Sequence, residues 1–242
     1  MSHTLPDYTT KYKMTTIFGN IDTGEAAVRQ GSIVIFDRRG QVIYLDDFEA
    51  SVLKWQTAGS GTGWDVSLDT TRANSGSQCC KITTGSTDEL RAEIYKTLPY
   101  IQKSRIGFSI ATTTPSTLRD IRIDLELYDG STKHRSGIMY YDTERTLGYF
   151  GQNGAYNVFT TTKGIYKDDY MFSVFKLVTD FENEKYVRFI LNNDVYDLSS
   201  YTYEKTNDTS RPHLLVRYKL VSTGGTSTTS YVDDVILTQN EP

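Results

Sequence analysis

The sequence predicts an all-β protein, a two-sheet antiparallel jelly-roll sandwich that follows an N-terminal arm and a β-hairpin. Of its 242 residues 18 are Tyr and only 5 are Pro, a composition typical of strands and turns. Short alternating or apolar segments recur between clusters of Gly, Asn, Asp and Ser. No segment carries an amphipathic helical stripe over three turns.

The first 45 residues differ from the rest of the chain. Residues 1–25 are polar and have neither a strand nor a helix period, so we expect an arm. Two β-branched runs, 32–36 and 41–45, flank an Asp-Arg-Arg-Gly turn and predict a hairpin. A lone hairpin is marginally stable, so it must pack on the main domain or on a partner chain. The predicted domains are therefore 1–45, arm and hairpin, and 46–242, jelly roll.

The clearest strand is 121–128, where Ile, Ile, Leu and Leu alternate with Arg, Asp, Glu and Tyr. Such alternation indicates an antiparallel strand with one buried face. Further strands are expected at 79–83, 91–97, 106–112, 137–141, 172–180, 186–191, 214–221 and 231–238.

Composition and charge exclude several classes. A net charge of −4 without a basic block argues against a dedicated nucleic-acid-binding protein. No apolar run approaches the roughly 18–20 residues that cross a bilayer. The N-terminus lacks the pattern of a secretory signal peptide, so we expect synthesis in the cytoplasm, with extracellular placement as the alternative. Cys79 and Cys80 are neighbours on a strand and therefore point to opposite faces, which argues against a disulfide between them.

Short motifs at the two ends of the main domain carry a family resemblance. Asp46-Asp-Phe-Glu49 and Trp55 open this domain, and Tyr231-Val-Asp-Asp-Val-Ile-Leu237 closes it. Together they resemble the jelly-roll carbohydrate-binding modules. The resemblance covers about residues 46–242, and between the two ends it consists mainly of the strand pattern.

The resemblance implies a structural calcium ion where the first and last strands meet. Glu49 and one of Asp233 or Asp234 would be side-chain ligands, with backbone carbonyls near 72–76. Calcium binds six to eight oxygen ligands, which loops and carboxylates supply. The alternative is that these carboxylates are solvated strand ends or pair with an arginine.

The resemblance also implies a polysaccharide ligand, held by aromatic rings and hydrogen-bonding side chains. In the strand 121–128 the tyrosine shares the polar face, which supports this interpretation. The alternative is that the aromatic residues serve the core of the sandwich. The candidate glycan-binding residues are Trp64, Arg122, Tyr128, Tyr140, Tyr149 and Tyr156.

An enzymatic function is the weaker expectation. The segments 87–93 and 149–157 resemble two strands of jelly-roll polysaccharide lyases. The resemblance implies Arg91 as the group that neutralises the substrate carboxylate and Tyr156 as the base. The Gln-x-His strand of those lyases is missing. We therefore expect a chain that is not an enzyme.

The segment 26–49 runs from the arm through the hairpin into the jelly roll and resembles phage structural proteins that carry such a domain. This implies a non-catalytic assembly protein of a virion. Residues 1–45 would mediate self-association or contacts to other virion subunits. A carbohydrate-binding module or lectin is the first alternative, and a jelly-roll polysaccharide lyase is the second.

Overall fold

The computed structural model describes residues 39–87, 89–162 and 164–242. The chain divides into two compact units, Met1–Arg38 and Arg39–Pro242, and all described residues belong to the second. The strands of this unit are β1 (Gln41–Asp46), β2 (Gln56–Gly59), β3 (Asp65–Asp69), β4 (Cys79–Thr83), β5 (Arg91–Pro99), β6 (Arg105–Thr114), β7 (Leu118–Tyr128), β8 (Thr132–Tyr141), β9 (Thr146–Phe150), β10 (Tyr156–Thr161), β11 (Asp168–Asp180), β12 (Lys185–Leu191), β13 (Asp194–Asp197), β14 (Glu204–Asn207), β15 (His213–Ser222) and β16 (Thr229–Gln239).

The strands form two 8-stranded antiparallel sheets. Sheet A has the order β13-β12-β11-β6-β16-β4-β3, and β1 also pairs with β16. Sheet B has the order β10-β9-β8-β7-β15-β5-β2, and β14 pairs with β8. Neighbours such as β7 and β15 are distant in the sequence, as the connections of a jelly roll require. The predicted fold class, a two-sheet antiparallel jelly-roll sandwich, is confirmed.

The core lies between the two sheets. Ile121, Ile123, Leu125 and Leu127 of β7 are buried in it, as their alternation with polar residues predicts. They pack with apolar side chains of sheet A, among them Phe108. Burial of these side chains is the main favourable contribution to folding, at about 25 cal/mol per Å² of apolar surface.

The predicted N-terminal hairpin is described only in its second half. The arm and the run 32–36 lie outside the described residues. The second run forms β1, which pairs with β16 from Gln41 opposite Gln239 to Asp46 opposite Val235.

The two cysteines are free and buried. Cys80 belongs to the core between the sheets, whereas Cys79 is not part of that cluster. Burial raises the pKa of the Cys79 thiol to about 12. Within the described part of the chain, no helix has the length and apolar character that crossing a bilayer requires.

Candidate functional site: the outward face of sheet B

Alternation along β7 directs its polar side chains away from the core. Arg122, Asp124 and Glu126 therefore lie on the side of sheet B that faces away from sheet A. On the neighbouring strand β15, Lys219 pairs with Arg122 and Arg217 pairs with Asp124. Directly opposite residues share a face of a sheet. We call the surface that these five residues form the outward face of sheet B.

The carboxylates of this face lie deeper than its cations. Asp124 and Glu126 are 0% exposed, whereas the side chains of Arg122 and Arg217 retain 26% and 21% exposure. The guanidinium groups therefore lie between the carboxylates and the solvent. A molecule that approaches this face meets positive charge first, although the whole chain carries a net charge of −4.

Glu126 is the centre of the charge network. Its carboxylate accepts a hydrogen bond from the Tyr128 hydroxyl at 2.9 Å and lies 3.0 Å from Lys133 Nζ. Arg217 Nη1 is 3.4 Å and Arg135 Nε is 3.5 Å from the other carboxylate oxygen. One buried carboxylate thus orients cations from two neighbouring strands, β8 and β15.

Asp124 forms a second contact group with Tyr156. The Tyr156 hydroxyl donates to Asp124 Oδ1 at 2.9 Å. Burial and the charge of Asp124 raise the pKa of Tyr156 well above its usual value. Gly137, directly opposite Asp124 on β8, leaves room for this carboxylate, because a Cβ at that position would overlap Asp124 Oδ1. A tyrosine with a raised pKa remains a proton donor and is a poor base.

Lys219 lies among other cations. Burial lowers the pKa of its amine, and the charges of Arg217 and Arg122 lower it further, while Asp124 and Glu93 act in the opposite direction. Its Nζ is 3.5 Å from Glu93 Oε2. A lysine whose pKa is lowered in this way supplies a neutral amine more readily than an ordinary lysine.

Several polar atoms of this face are buried without a hydrogen-bond partner in the described part of the protein. They are Nε of Arg135, Nε of Arg217 and Oε2 of Glu93. The Arg135 guanidinium also stacks on the ring of Phe150, 3.7 Å from its centroid. Buried polar groups rarely lack a hydrogen-bond partner, and those that do lack one call for an explanation such as a functional role. Their clustering here marks the outward face of sheet B as the candidate site.

The structure brings three of the six predicted glycan-binding residues to this face. Arg122, Tyr128 and Tyr156 lie on it, and the Tyr128 ring stacks on His213 with centroids 4.1 Å apart. Arg91, the predicted neutralising group, is exposed and pairs with Val221 at the end of β15.

The other three predicted residues lie elsewhere. Tyr140 is in the core, and its hydroxyl donates to Asp142. Tyr149 packs against Tyr186 and Tyr201 on the inner side of the sheet. Trp64 is half-buried and packs against the core, with its ring beside Gly59.

Arg217 and Lys219 were missed by the sequence analysis. The available signal was the strand 214–221, in which these two residues alternate with apolar neighbours. The pairing of β15 with β7 joins segments that are distant in the sequence, so the alternation pattern alone does not predict it.

The predicted calcium ligands contact the segment 74–78, and the calcium ion that the resemblance implies stays a prediction. Asp233 accepts backbone N–H groups of Asn74 at 2.8 Å, Ser75 at 3.1 Å and Asp234 at 2.8 Å. A carboxylate has about four lone-pair sites, so these three hydrogen bonds do not use all of them.

The other two carboxylates are engaged in a similar way. Glu49 accepts N–H groups of Ser77 at 2.7 Å and Gln78 at 2.9 Å, and Asp234 accepts the Asn74 amide at 2.6 Å. The described residues contain no group of three or more His, Cys, Asp or Glu side chains arranged to hold a metal ion. The three carboxylates hold the 74–78 segment against the first and last strands of the sandwich.

Comparison with protein-family models and with curated protein sequences gives no match. Solved structures do match. Endo-β-1,4-glucuronan lyase from the fungus Trichoderma reesei aligns with a TM-score of 0.51 and 12% identity, over 84% of this chain and 94% of that one. Alginate lyase vAL-1 from Chlorella virus has a TM-score of 0.49 and 10% identity, over 76% and 88%. A structure of carbohydrate-binding modules of the β-sandwich superfamily aligns with a TM-score of 0.46 and 15% identity, over 83% of this chain and 63% of that one.

The comparison corrects one expectation. We expected a chain that is not an enzyme, but the first of these structures, with which it shares its fold, is that of a lyase. The expectation was wrong because it gave the missing motifs more weight than the jelly-roll scaffold, which the chain shares with a lyase. The jelly-roll fold that the resemblance implies is confirmed by the two antiparallel sheets and by the shared fold of the first of these structures. Residues of the second unit thus form a jelly-roll sandwich.

Proposed function

We propose that this chain binds an anionic polysaccharide on the outward face of sheet B. The observation that carries the proposal is the layering of charge on this face, with buried carboxylates below and half-buried arginines above. Arginine forms paired hydrogen bonds with carboxylate and sulfate groups. The Nε groups of Arg135 and Arg217 form no hydrogen bond within the described residues, although Arg135 Nε lies 3.5 Å from Glu126, and this leaves hydrogen-bonding capacity for such a ligand.

The fold supports a saccharide as the carrier of these anionic groups. Jelly-roll proteins of the same fold are described as a glucuronan lyase and as carbohydrate-binding modules. The stacked rings of Tyr128 and His213 lie at one end of the face and offer an aromatic surface to sugar C–H groups. Fold alone does not fix a function, and the residues of the face therefore carry the argument.

The test compares two classes of polymer and two variants. Affinity electrophoresis in gels that contain alginate or neutral xylan measures retardation of the wild type, Arg217→Ala and Arg105→Ala. Arg105 is an exposed arginine on β6 of the other sheet and serves as the matched control. We expect Arg217→Ala to weaken alginate binding by about tenfold or more, as the loss of a charged hydrogen-bond donor predicts. Arg105→Ala should bind alginate like the wild type.

Two results would reject the proposal. One is equal retardation of the wild type and Arg217→Ala by alginate. The other is an equal loss in both arginine variants, which would indicate a nonspecific effect of net charge.

A second candidate function, polysaccharide lyase activity, is favoured by Lys219. With its lowered pKa, the neutral amine can take the proton from C5 of a uronate unit. The C4–O bond to the next sugar then breaks, a C4=C5 double bond forms, and the leaving oxygen receives a proton from the Lys219 ammonium group. Arg122 and Arg217 flank the lysine and would stabilise the negative charge that develops on the uronate carboxylate.

Ultraviolet absorbance of the unsaturated product tests this candidate directly. We expect the wild type to produce it from a polyuronate and Lys219→Arg to produce none, because a guanidinium remains protonated. Product formation by Lys219→Arg at the wild-type rate would exclude this lysine as the base.

The predicted role of residues 1–45 in self-association or in contacts to virion subunits stays a prediction, as does cytoplasmic synthesis. Light scattering after size-exclusion chromatography, with and without residues 1–38, tests the first of these. Truncation after residue 38 preserves β1, which pairs with β16. An oligomer that becomes a monomer would support assembly, and a monomer in both forms would contradict it.

A further inference from the structure

An irregularity near the start of β11 exposes a tyrosine and a methionine side chain at sheet A. Asp168 pairs with Thr114 and Phe172 pairs with Thr113, so residues 169–171 have no counterpart on β6. Within this insertion Tyr170 is 70% exposed and Met171 is 55% exposed. Such bulges redirect side chains and are frequent next to functional sites.

Tyr170 does not point freely into solvent but stacks on a fixed guanidinium. The Cζ atom of Arg72 lies 4.3 Å from the centroid of the Tyr170 ring and 4.4 Å from that of Tyr231. Tyr231 is a buried residue of β16, and its hydroxyl is 2.6 Å from Arg72 Nη1. One face of the Tyr170 ring is therefore held against the sheet, while its high exposure leaves the other face accessible.

The backbone of the insertion is fixed as well. The Tyr170 N–H donates to Asp168 Oδ1 at 2.5 Å. Just before the insertion, the Thr114 hydroxyl donates to the carbonyl oxygen of Tyr166 at 2.7 Å. A ring that is already oriented loses little conformational entropy when a ligand binds to it.

Charged groups lie near the base of this stack. Arg72, Asp69 and Asp169 all act electrostatically on Tyr231, the arginine in one direction and the two carboxylates in the other. The Nε atom of Arg72 is buried and has no hydrogen-bond partner in the described part of the chain. The stack is therefore polar at its base and does not belong to a continuous apolar patch.

We propose that Tyr170 is a stacking platform for a sugar ring of a neutral polysaccharide, on the side of sheet A that faces away from the core. A pyranose has an apolar C–H face that packs on such a ring. Asp69 and Asp169 offset the positive charge of Arg72 beneath the ring, so an excess of cations does not favour an anionic sugar here, in contrast to the face of sheet B. The site is therefore separate from the site of the proposed function and does not depend on it.

The test uses the full chain in an Arg217→Ala background, so that binding to the outward face of sheet B is weakened. Affinity electrophoresis is run in xylan, mixed-linkage glucan and galactomannan as neutral probes and in alginate as the anionic one. The added variants are Tyr170→Ala, Tyr170→Phe and Tyr166→Ala. Tyr166 is 67% exposed and is the matched control for an exposed tyrosine outside the stack.

We expect at least one neutral polymer to retard the Arg217→Ala parent. Tyr170→Ala should weaken that binding by about tenfold, whereas Tyr170→Phe should preserve it because the ring remains. Tyr166→Ala should bind like the parent. No retardation by any neutral polymer, or an equal loss in Tyr170→Ala and Tyr166→Ala, would overturn the proposal.

A second measurement covers the case in which Tyr170→Ala disturbs the fold. In the otherwise unaltered protein, the NMR signal of the Arg72 Nε–H group should shift when the oligosaccharide of the retarding polymer is added, and an unchanged signal would count against the site. Alginate binding by Tyr170→Ala with Arg217 intact reports on the sheet B face alone. Failure of one proposal is thereby distinguishable from failure of the other.

Discussion

Replacing Glu126 by glutamine tests the charge layering of the sheet B face in both stability and binding. Glu126 is buried and lies 3.0 Å from Lys133, 3.4 Å from Arg217 and 3.5 Å from Arg135. Glutamine has nearly the same shape and retains an acceptor for the Tyr128 hydroxyl. The change therefore removes the charge and little else.

The expected loss of stability follows from the exposure of the three cations. Their side chains are 21%, 21% and 19% exposed, so solvent screens each pair, and each contributes about 0.5–1 kcal/mol. Together they predict a decrease of roughly 1.5–3 kcal/mol in the free energy of unfolding. For a domain of this size the melting midpoint should fall by roughly 3–12 °C.

Alginate binding, in contrast to stability, should not weaken in this variant. With the central carboxylate neutralised, the arginines present a stronger positive potential, and the Kd for alginate should stay the same or decrease. Thermal unfolding and affinity electrophoresis on the same preparation measure both effects, with the exposed Glu144→Gln as the control. A variant that melts like the wild type and binds alginate more weakly would refute the reasoning.

Three further predictions concern individual side chains. The pKa of Lys219 is lower in the folded chain than in the unfolded chain. The charged lysine therefore destabilises the folded chain at every pH below the folded-state pKa. This destabilisation disappears as pH rises past the ordinary pKa of lysine. Lys219→Met should therefore be more stable than the wild type at neutral pH, with a difference that shrinks at alkaline pH; a difference constant with pH would contradict this. Glu241 is buried, lies 2.7 Å from Lys176 Nζ and also forms an ion pair with Arg188. Glu241→Ala should therefore lower the free energy of unfolding by about 3–5 kcal/mol, measured by urea titration. A loss below about 1 kcal/mol would show that these two ion pairs are dispensable for stability. If Glu49, Asp233 and Asp234 hold the calcium ion that the family resemblance implies, the melting midpoint should be higher in excess calcium than in chelator, and an equal midpoint would contradict the calcium interpretation.

The sequence predicted the long strands because their buried faces leave a clear alternation. The strand 121–128 lies within β7, and the predicted segment 214–221 lies within β15. Short strands such as β2 and β13 were not predicted, since they have four residues each and are half-buried or exposed. Their pairing is imposed by the neighbouring strands rather than by their own pattern.

The site was predicted only in part. Alternation alone placed Arg122 and Tyr128 on the polar face of their strand. It did not separate Tyr140 from Tyr141, because adjacent tyrosines carry no signal of which one faces the core; the structure buries Tyr140. The register of β15 against β7, which brings Lys219 beside Arg122, is set by long-range packing.

The most direct measurement of the central claim follows the arginine side chains by NMR while an oligouronate is added. We predict that the Nε–H signals of Arg135 and Arg217 shift, because these donors are buried and have no hydrogen-bond partner in the described protein. Arg105 Nε, which donates to Asp180 at 2.9 Å, serves as the reference and should remain unchanged. If Arg135 and Arg217 stay unchanged while the oligouronate binds elsewhere, the outward face of sheet B is not the anionic polysaccharide site.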